Sequence, residues 1–242
     1  MFQVIAYIKY WLHQVDEHSL HSPFLFDFYN ELIKTPFIKD ARIESLRNQL
    51  KKDTSNIDLT DLGVGSRVSE NHSRTIASIA KHSATPAKFS SFLQKLIRHY
   101  DLKNIWELGS SLGLNSLYLA KEKNHKVTTF EGDPALAQLA RQHFAELNQL
   151  NIRLVEGNID ETLAKELEKS KPIDLVYVDA NHSYEATLSY HQQLRPKMAK
   201  SGIMIFDDIH WSKGMDKAWQ EIIEKRHHGL SCDLFEAGIL FC

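Results

Sequence analysis

The segment Asn104-Ile105-Trp106-Glu107-Leu108-Gly109-Ser110-Ser111-Leu112-Gly113 constrains this chain most. A short apolar run carries an acidic residue near its end and enters a turn with glycine at two positions four apart. Leu114 to Ala120 then has the spacing of an opening helix. A strand that feeds a glycine turn and a helix is how α/β proteins make room for a nucleotide-like ligand. Downstream, Lys126-Val127-Thr128-Thr129-Phe130 ends in Glu131, and a carboxylate there can accept from both hydroxyls of a ribose. The two features together point to a bound nucleoside.

From Asn104 onward apolar runs and helical patterns alternate. Strands are predicted at 104–108, 126–131, 152–156, 173–179 and 202–207, with helices at 114–122, 133–148, 160–169, 183–199 and 213–227. Asp133-Pro134 makes a good helix start, since Asp caps free amides and Pro fits the first turn. This alternation means a parallel sheet covered on both faces. At the end, Ser231–Phe235 and Gly238–Phe241 have no helix between them, which fits a hairpin and an antiparallel strand. The expected fold is α/β: a Rossmann-like, mostly parallel seven-stranded sheet with a terminal antiparallel hairpin and an N-terminal helical cap.

Residues 1–74 are expected to form that cap and a mobile loop, and 75–242 the ligand-binding domain. The cap reads as helical to about residue 52 and is rich in aromatics around Phe24, Phe26, Phe28 and Tyr29. These fit either the core of the cap or a lid over a pocket. The polar stretch to Arg74, with Gly63-Val64-Gly65-Ser66-Arg67 at its centre, reads as a loop in which Arg67 or Arg74 could meet an acidic substrate group. Thr75 to Tyr100 reads as two helices broken near Thr85-Pro86.

The chain has 242 residues, a net charge of −2 and no basic stripe, which argues against nucleic-acid partners. No apolar run approaches the length of a membrane span. The N-terminus lacks a signal-peptide pattern, and Cys232 and Cys242 match no metal or redox spacing, so a cytoplasmic setting is expected.

The turn lacks the middle glycine of a dinucleotide fold and the Gly-Lys-Ser/Thr of a phosphate loop. A looser turn suits a ligand without phosphates. Gly109 and Gly113 also admit a purely structural role in helix–strand packing. The stretch Glu107–Gly113, with Glu131 one strand later and the terminal hairpin, resembles the class I S-adenosylmethionine-dependent methyltransferases. That resemblance implies cofactor contacts at Glu107, Gly109, Gly113 and Glu131, and an adenine border at Asn158 and Ile159.

The fourth strand ends Val178-Asp179-Ala180-Asn181-His182 and the fifth ends Phe206-Asp207-Asp208-Ile209-His210-Trp211. Neighbouring parallel strands would bring Asp179, Asp207 and Asp208 to one small volume, and a divalent cation would relieve their repulsion. An all-oxygen donor set suits Mg²⁺, Ca²⁺ or Mn²⁺. The pattern is similar to the cation-dependent O-methyltransferases of the catechol and caffeoyl-coenzyme A type, with Asp208 where Asn is usual. The resemblance implies metal ligands at Asp179, Asp207 and Asp208, a base at His182 where that family carries Lys, and a small-molecule hydroxyl acceptor. His182 reads equally as a helix-start residue; His210 is expected to line the pocket or orient Asp208, and Trp211 to form a pocket wall or core.

Three rivals stay open: a nicotinamide-dependent oxidoreductase, a methyltransferase acting on a nucleic-acid base or other nitrogen, and a binding protein without activity. Oligomeric state is open too, a homodimer among the options.

Overall fold

The computed structural model describes residues 2–14, 21–60, 73–224 and 229–242. Helices α1 (Phe2–His13), α2 (Pro23–Phe28) and α3 (Ala41–Leu50) come first, with a π-turn at Tyr29–Ile33. Strands β1 (Asn56–Asp58) and β2 (Ser73–Thr75) then pair antiparallel as a small ribbon. The polar composition of this stretch had suggested only a loop. Ribbons of three residues carry too little periodicity to read from sequence. Gly63 to Arg67 lie outside the described residues.

The rest alternates: α4 (Ile76–His82), α5 (Ala87–His99), β3 (Asn104–Leu108), α6 (Leu114–Leu119), β4 (Lys126–Glu131), α7 (Pro134–Glu146), β5 (Ile152–Glu156) and α8 (Ile159–Lys169). Next come β6 (Ile173–Val178), α9 (Tyr184–Leu194), a 3-10 turn, β7 (Met198–Asp207), α10 (Lys213–Glu224), β8 (Ser231–Asp233) and β9 (Ala237–Phe241). The sequence placed β3, β4 and β5 at these bounds. It started β7 four residues late, because the polar Lys200-Ser201 interrupts the apolar run.

The seven-stranded sheet runs β5-β4-β3-β6-β7-β9-β8. Its strands are parallel except β9, which pairs antiparallel with both β7 and β8. Period-two alternation divides the core between the faces. Trp106, Leu108, Val176, Val178, Met204 and Phe206 pack toward α8, α9 and α10. Ile105, Leu175, Tyr177, Ile203 and Ile205 pack toward α5 and α6. A third cluster joins Ile43 and Leu46 of α3 to Ile79 of α4, Leu117 of α6 and Phe144 of α7.

Helix starts follow their caps. Asp133 accepts from Leu136 N at 2.8 Å, and Ser183 from Ala186 N at 3.3 Å. Gly113 opens α6 with φ +76, in the left-handed region, and a Cβ there would run into the Phe144 ring. Gly113→Ala should therefore cost about 2 kcal/mol, from left-handed strain plus overpacking. Urea unfolding checks this; an unchanged midpoint would contradict it.

Candidate active site

Strand order reverses between β3 and β6, and open α/β sheets bind ligands beyond the C-terminal ends of their strands at such a point. The turn after β3 is fixed from the backbone. Gly109 N and Ser110 N both donate to Phe130 O at 3.0 Å, and Asp179 N donates to Leu108 O at 2.9 Å. Gly109 has φ +94 and packs so closely that a Cβ would strike the carbonyl oxygen of Asp179. Both turn glycines are thus demanded by packing, whatever they contact beyond it.

Glu131 lies at the tip of β4, 8% exposed. Its Oε2 accepts from Ser111 N at 2.7 Å and its Oε1 from Asp133 N at 3.0 Å. Burial raises its pKa, with these amides opposing. The Gly132 amide also donates to this carboxylate, and the two oxygens keep room for a further donor. The Ser110 and Ser111 hydroxyls are buried without a hydrogen-bond partner, a cost that a polar ligand at the turn would remove. A nucleoside with a polar tail therefore fits these residues.

Glu107 lies beneath the turn with no exposed surface. It accepts from Asn115 Nδ2 at 2.8 Å, from Thr129 Oγ1 at 2.6 Å and from Ser116 Oγ, tying β3 to β4 and α6. Burial pushes its pKa up to about 7 against those three donors. Asn158 caps α8 through Asp160 N at 3.0 Å. Ile159 packs into the core beside Leu163 and Val155. Gly157 N donates to Glu131 O, so this turn borders the same edge as Glu131.

The three aspartates gather as the spacing predicts. Val178 pairs with Phe206, which sets Asp179 level with Asp207 at the adjacent strand ends. Asp208 follows with φ +55. Two residues missed by the sequence reading organise them. Tyr177 OH donates to Asp207 Oδ2 at 2.8 Å and approaches Asp179 Oδ2 at 3.4 Å. Thr85 Oγ1 donates to the same Asp179 oxygen at 3.4 Å. Tyr177 precedes Asp179 by two and shares its strand face, which was the available signal. Nothing local announced Thr85, which arrives from the break between α4 and α5.

His182 Nε2 stands 3.4 Å from Asp179 Oδ1 and 3.9 Å from Asp208 Oδ2. Burial, the largest single influence, lowers its pKa. The hydrogen bond to Asp179 and the charges of Asp179, Asp208 and Asp207 outweigh it and carry the imidazole to about 9. The ring is thus a cation at neutral pH rather than a group titrating there. Burial and the charges of Asp179 and Asp208 hold the Asp207 carboxyl well above its ordinary range. Burial also raises Asp208, with His182 opposing. Among the described residues no three His, Cys, Asp or Glu side chains are arranged to hold a metal ion. As placed, Asp179 and Asp208 face His182, and Asp207 accepts from Tyr177.

Other candidates fall elsewhere. His210 turns away from Asp208: its Nδ1 meets Asp216 Oδ1 at 2.7 Å and its Nε2 meets Asp233 Oδ2 at 2.8 Å. It ties α10 to β8. Trp211 is 58% exposed, so it is not core. Arg74 Nη2 donates to Ser83 Oγ at 3.2 Å. Phe24 and Phe28 pack on Phe241. Phe241 pairs with Ile203, four residues before Asp207, so these rings sit at the other end of the sheet and do not cover the carboxylates. A cavity of about 1060 Å³ lies between α1, α2 and β8, bounded by Tyr10, Phe28, His210 and Asp233. It is separate from Asp179 and His182.

Residues 106–209 match the protein family described as a methyltransferase domain, from the middle of β3 to the loop after Asp208. That match spans somewhat less than half of the chain. The chain's fold is shared with solved O-methyltransferases. A Staphylococcus aureus protein inferred to be a caffeoyl-CoA O-methyltransferase aligns at 17% identity, TM-score 0.62, over 90% of this chain and 97% of that one. The Bacillus cereus O-methyltransferase solved with S-adenosylhomocysteine aligns at 17% identity, TM-score 0.60, over 88% and 93%. A Streptomyces achromogenes O-methyltransferase of tomaymycin synthesis, solved with S-adenosylmethionine, aligns at 14% identity, TM-score 0.60, over 94% and 98%. No curated protein matches the chain in sequence.

At the end of β6, Asp179 should hold the His182 proton. Asp179→Asn is expected to lower the His182 pKa from about 9 by at least about one unit, as loss of an adjacent opposite charge does. Histidine NMR titration checks this; an unmoved pKa would show that Asp179 does not stabilise the imidazolium.

Proposed function

We propose that this chain transfers a methyl group from S-adenosylmethionine to a hydroxyl of a small molecule. The observation that carries the proposal is juxtaposition. The turn bearing Ser110 and Ser111, with Glu131 beside it, and the group formed by Asp179, His182, Asp207 and Asp208 lie at the same strand ends. Gly109 packs directly on Asp179. Bound at that turn, the cofactor supplies an electrophilic methyl carbon on a sulfonium.

The roles of the chain's own residues follow from their chemistry. Glu131 accepts from the ribose hydroxyls through its remaining lone pairs. The Ser110 and Ser111 hydroxyls take up the polar tail, with Gly109 and Gly113 keeping the backbone close. Asn158 and Ile159 border the adenine. Glu107 supports the turn from beneath. His182 first loses to solvent the proton that Asp179 and Asp208 stabilise, and as neutral imidazole receives the acceptor's hydroxyl proton. A new O–C bond forms as the S–C bond breaks, and S-adenosylhomocysteine leaves. Alignment of hydroxyl and methyl is the main contribution of the site.

A second reading keeps the divalent ion expected from the sequence. Crowding supports it: Asp179 and Asp208 help push the Asp207 carboxyl far above its usual range, a repulsion that Mg²⁺, Ca²⁺ or Mn²⁺ would relieve. His182 would first have to leave Asp179 and Asp208. The division into a cap of residues 1–74 and a cofactor domain of 75–242 belongs to the same proposal. The low cysteine content favours a cytoplasmic setting. Among the described residues no helix is long and apolar enough to cross a membrane. The match to a methyltransferase family leaves the nicotinamide alternative without support.

Two measurements test the proposal. Glu131→Ala should weaken S-adenosylhomocysteine binding by at least about tenfold, the loss of hydrogen bonds to a charged group, with the fold intact. Calorimetry giving equal affinities would refute that role. With an acceptor in hand, methyl transfer should persist in excess chelator; loss of activity restored by Mg²⁺ would instead establish the second reading.

A further inference from the structure

Helix α1 turns Ile5, Ala6 and Tyr10 toward α2 and β8 without closing on them, and the space between is the cavity of about 1060 Å³. That volume stands at the top of the size range of small-molecule sites. The wall is apolar, formed by Ile5, Ala6, Leu25, Phe28 and Ile33. Packed interiors leave few voids larger than a water molecule. An apolar wall around this much space, with polar groups gathered at one end, has the make-up of a ligand site.

The polar end is built around His210. Both ring nitrogens are committed, Nδ1 to Asp216 Oδ1 at 2.7 Å and Nε2 to Asp233 Oδ2 at 2.8 Å. Burial lowers the His210 pKa, and the two carboxylates more than reverse it, so the ring is held as a cation. Asp233 Oδ1 accepts from Phe235 N at 2.8 Å. Asp216 Oδ2 receives no donor among the described residues. Tyr10 borders the same end, its pKa raised by burial and by the charge of Asp233. Two carboxylates against one imidazolium leave this end with negative charge in excess.

We propose that this cleft binds a small amphipathic amine, its ammonium on Asp216 Oδ2 beside Tyr10 and its apolar body along the wall between α1 and α2. Charge complementarity selects the cation, since a charged donor meets a carboxylate oxygen that lacks one. An anionic head would face Asp216 and Asp233, and His210 has no N–H left to offer it. Lys9 also borders the cleft, but it is exposed on α1 and remains hydrated. The site is independent of the methyl-transfer reading, because Asp179 and His182 do not border it.

Calorimetry on the full chain with decylamine, decanoate and decanol, each below its micelle concentration, tests the proposal. Decylamine is expected to bind at least about tenfold tighter than either comparator, as a charge-assisted hydrogen bond to the head group provides. Saturating S-adenosylhomocysteine should leave that affinity unchanged. Asp216→Asn should weaken decylamine at least about tenfold and leave decanol as it was. Ala6→Phe, which fills the cleft, should abolish binding with the far-ultraviolet circular dichroism unchanged; Ile5→Trp makes the same test from the next position. The proposal is overturned by absent decylamine binding, by equal affinity for the three compounds, by tighter binding of decanoate, by competition with S-adenosylhomocysteine, or by undiminished decylamine affinity in folded Asp216→Asn.

Discussion

The joint between β3 and β6 holds the rest in place. Asp179 N reaches Leu108 O, and Gly109 packs on the Asp179 carbonyl with no room for a side chain. This contact locks the glycine turn and the aspartate cluster together at the point where strand order reverses. Any side chain at Gly109 would separate the turn from Asp179 by forcing the two strand ends apart. Glu107 reinforces the joint from below by binding the start of α6 and the neighbouring β4.

Electrostatics follow from that geometry. Level strand ends bring Asp179 and Asp207 face to face, and Asp208 turns in through a left-handed backbone. Three acids in a partly dry volume are unfavourable unless something cationic or protonated joins them. The chain supplies its own compensation: an imidazolium at His182 between Asp179 and Asp208, and the Tyr177 hydroxyl on Asp207. The carboxylates that invited a metal reading from sequence also contact His182, which that reading cast as a base, and Tyr177, which it passed over.

The N-terminal segment divides in the same manner. Phe24 and Phe28 are consumed in packing on Phe241 at the far end of the sheet. Helix α1 instead stands beside the loop carrying Trp211 and turns an apolar stripe outward. Two stretches of similar composition thus differ in burial, Phe28 joining the core while Ile8 and Trp11 stay exposed. Composition measures how much apolar area a segment has, not which neighbour covers it.

Local pattern determined the sheet. Period-two runs bounded by caps and glycines marked β3 to β7, and the missing helix before Phe241 marked the antiparallel strand, because these signals act over a few residues. The same short-range rules flagged Glu131 and the aspartates at strand ends. Tertiary structure alone decided their surroundings. It laid β6 against both β3 and β7, brought Thr85 to Asp179 from ninety-four residues away, and sent His210 to Asp216 and Asp233 rather than to Asp208. Whether a histidine is a neutral base or a bound cation depends on which charges come to lie within a few ångströms, and chain order does not encode that distance.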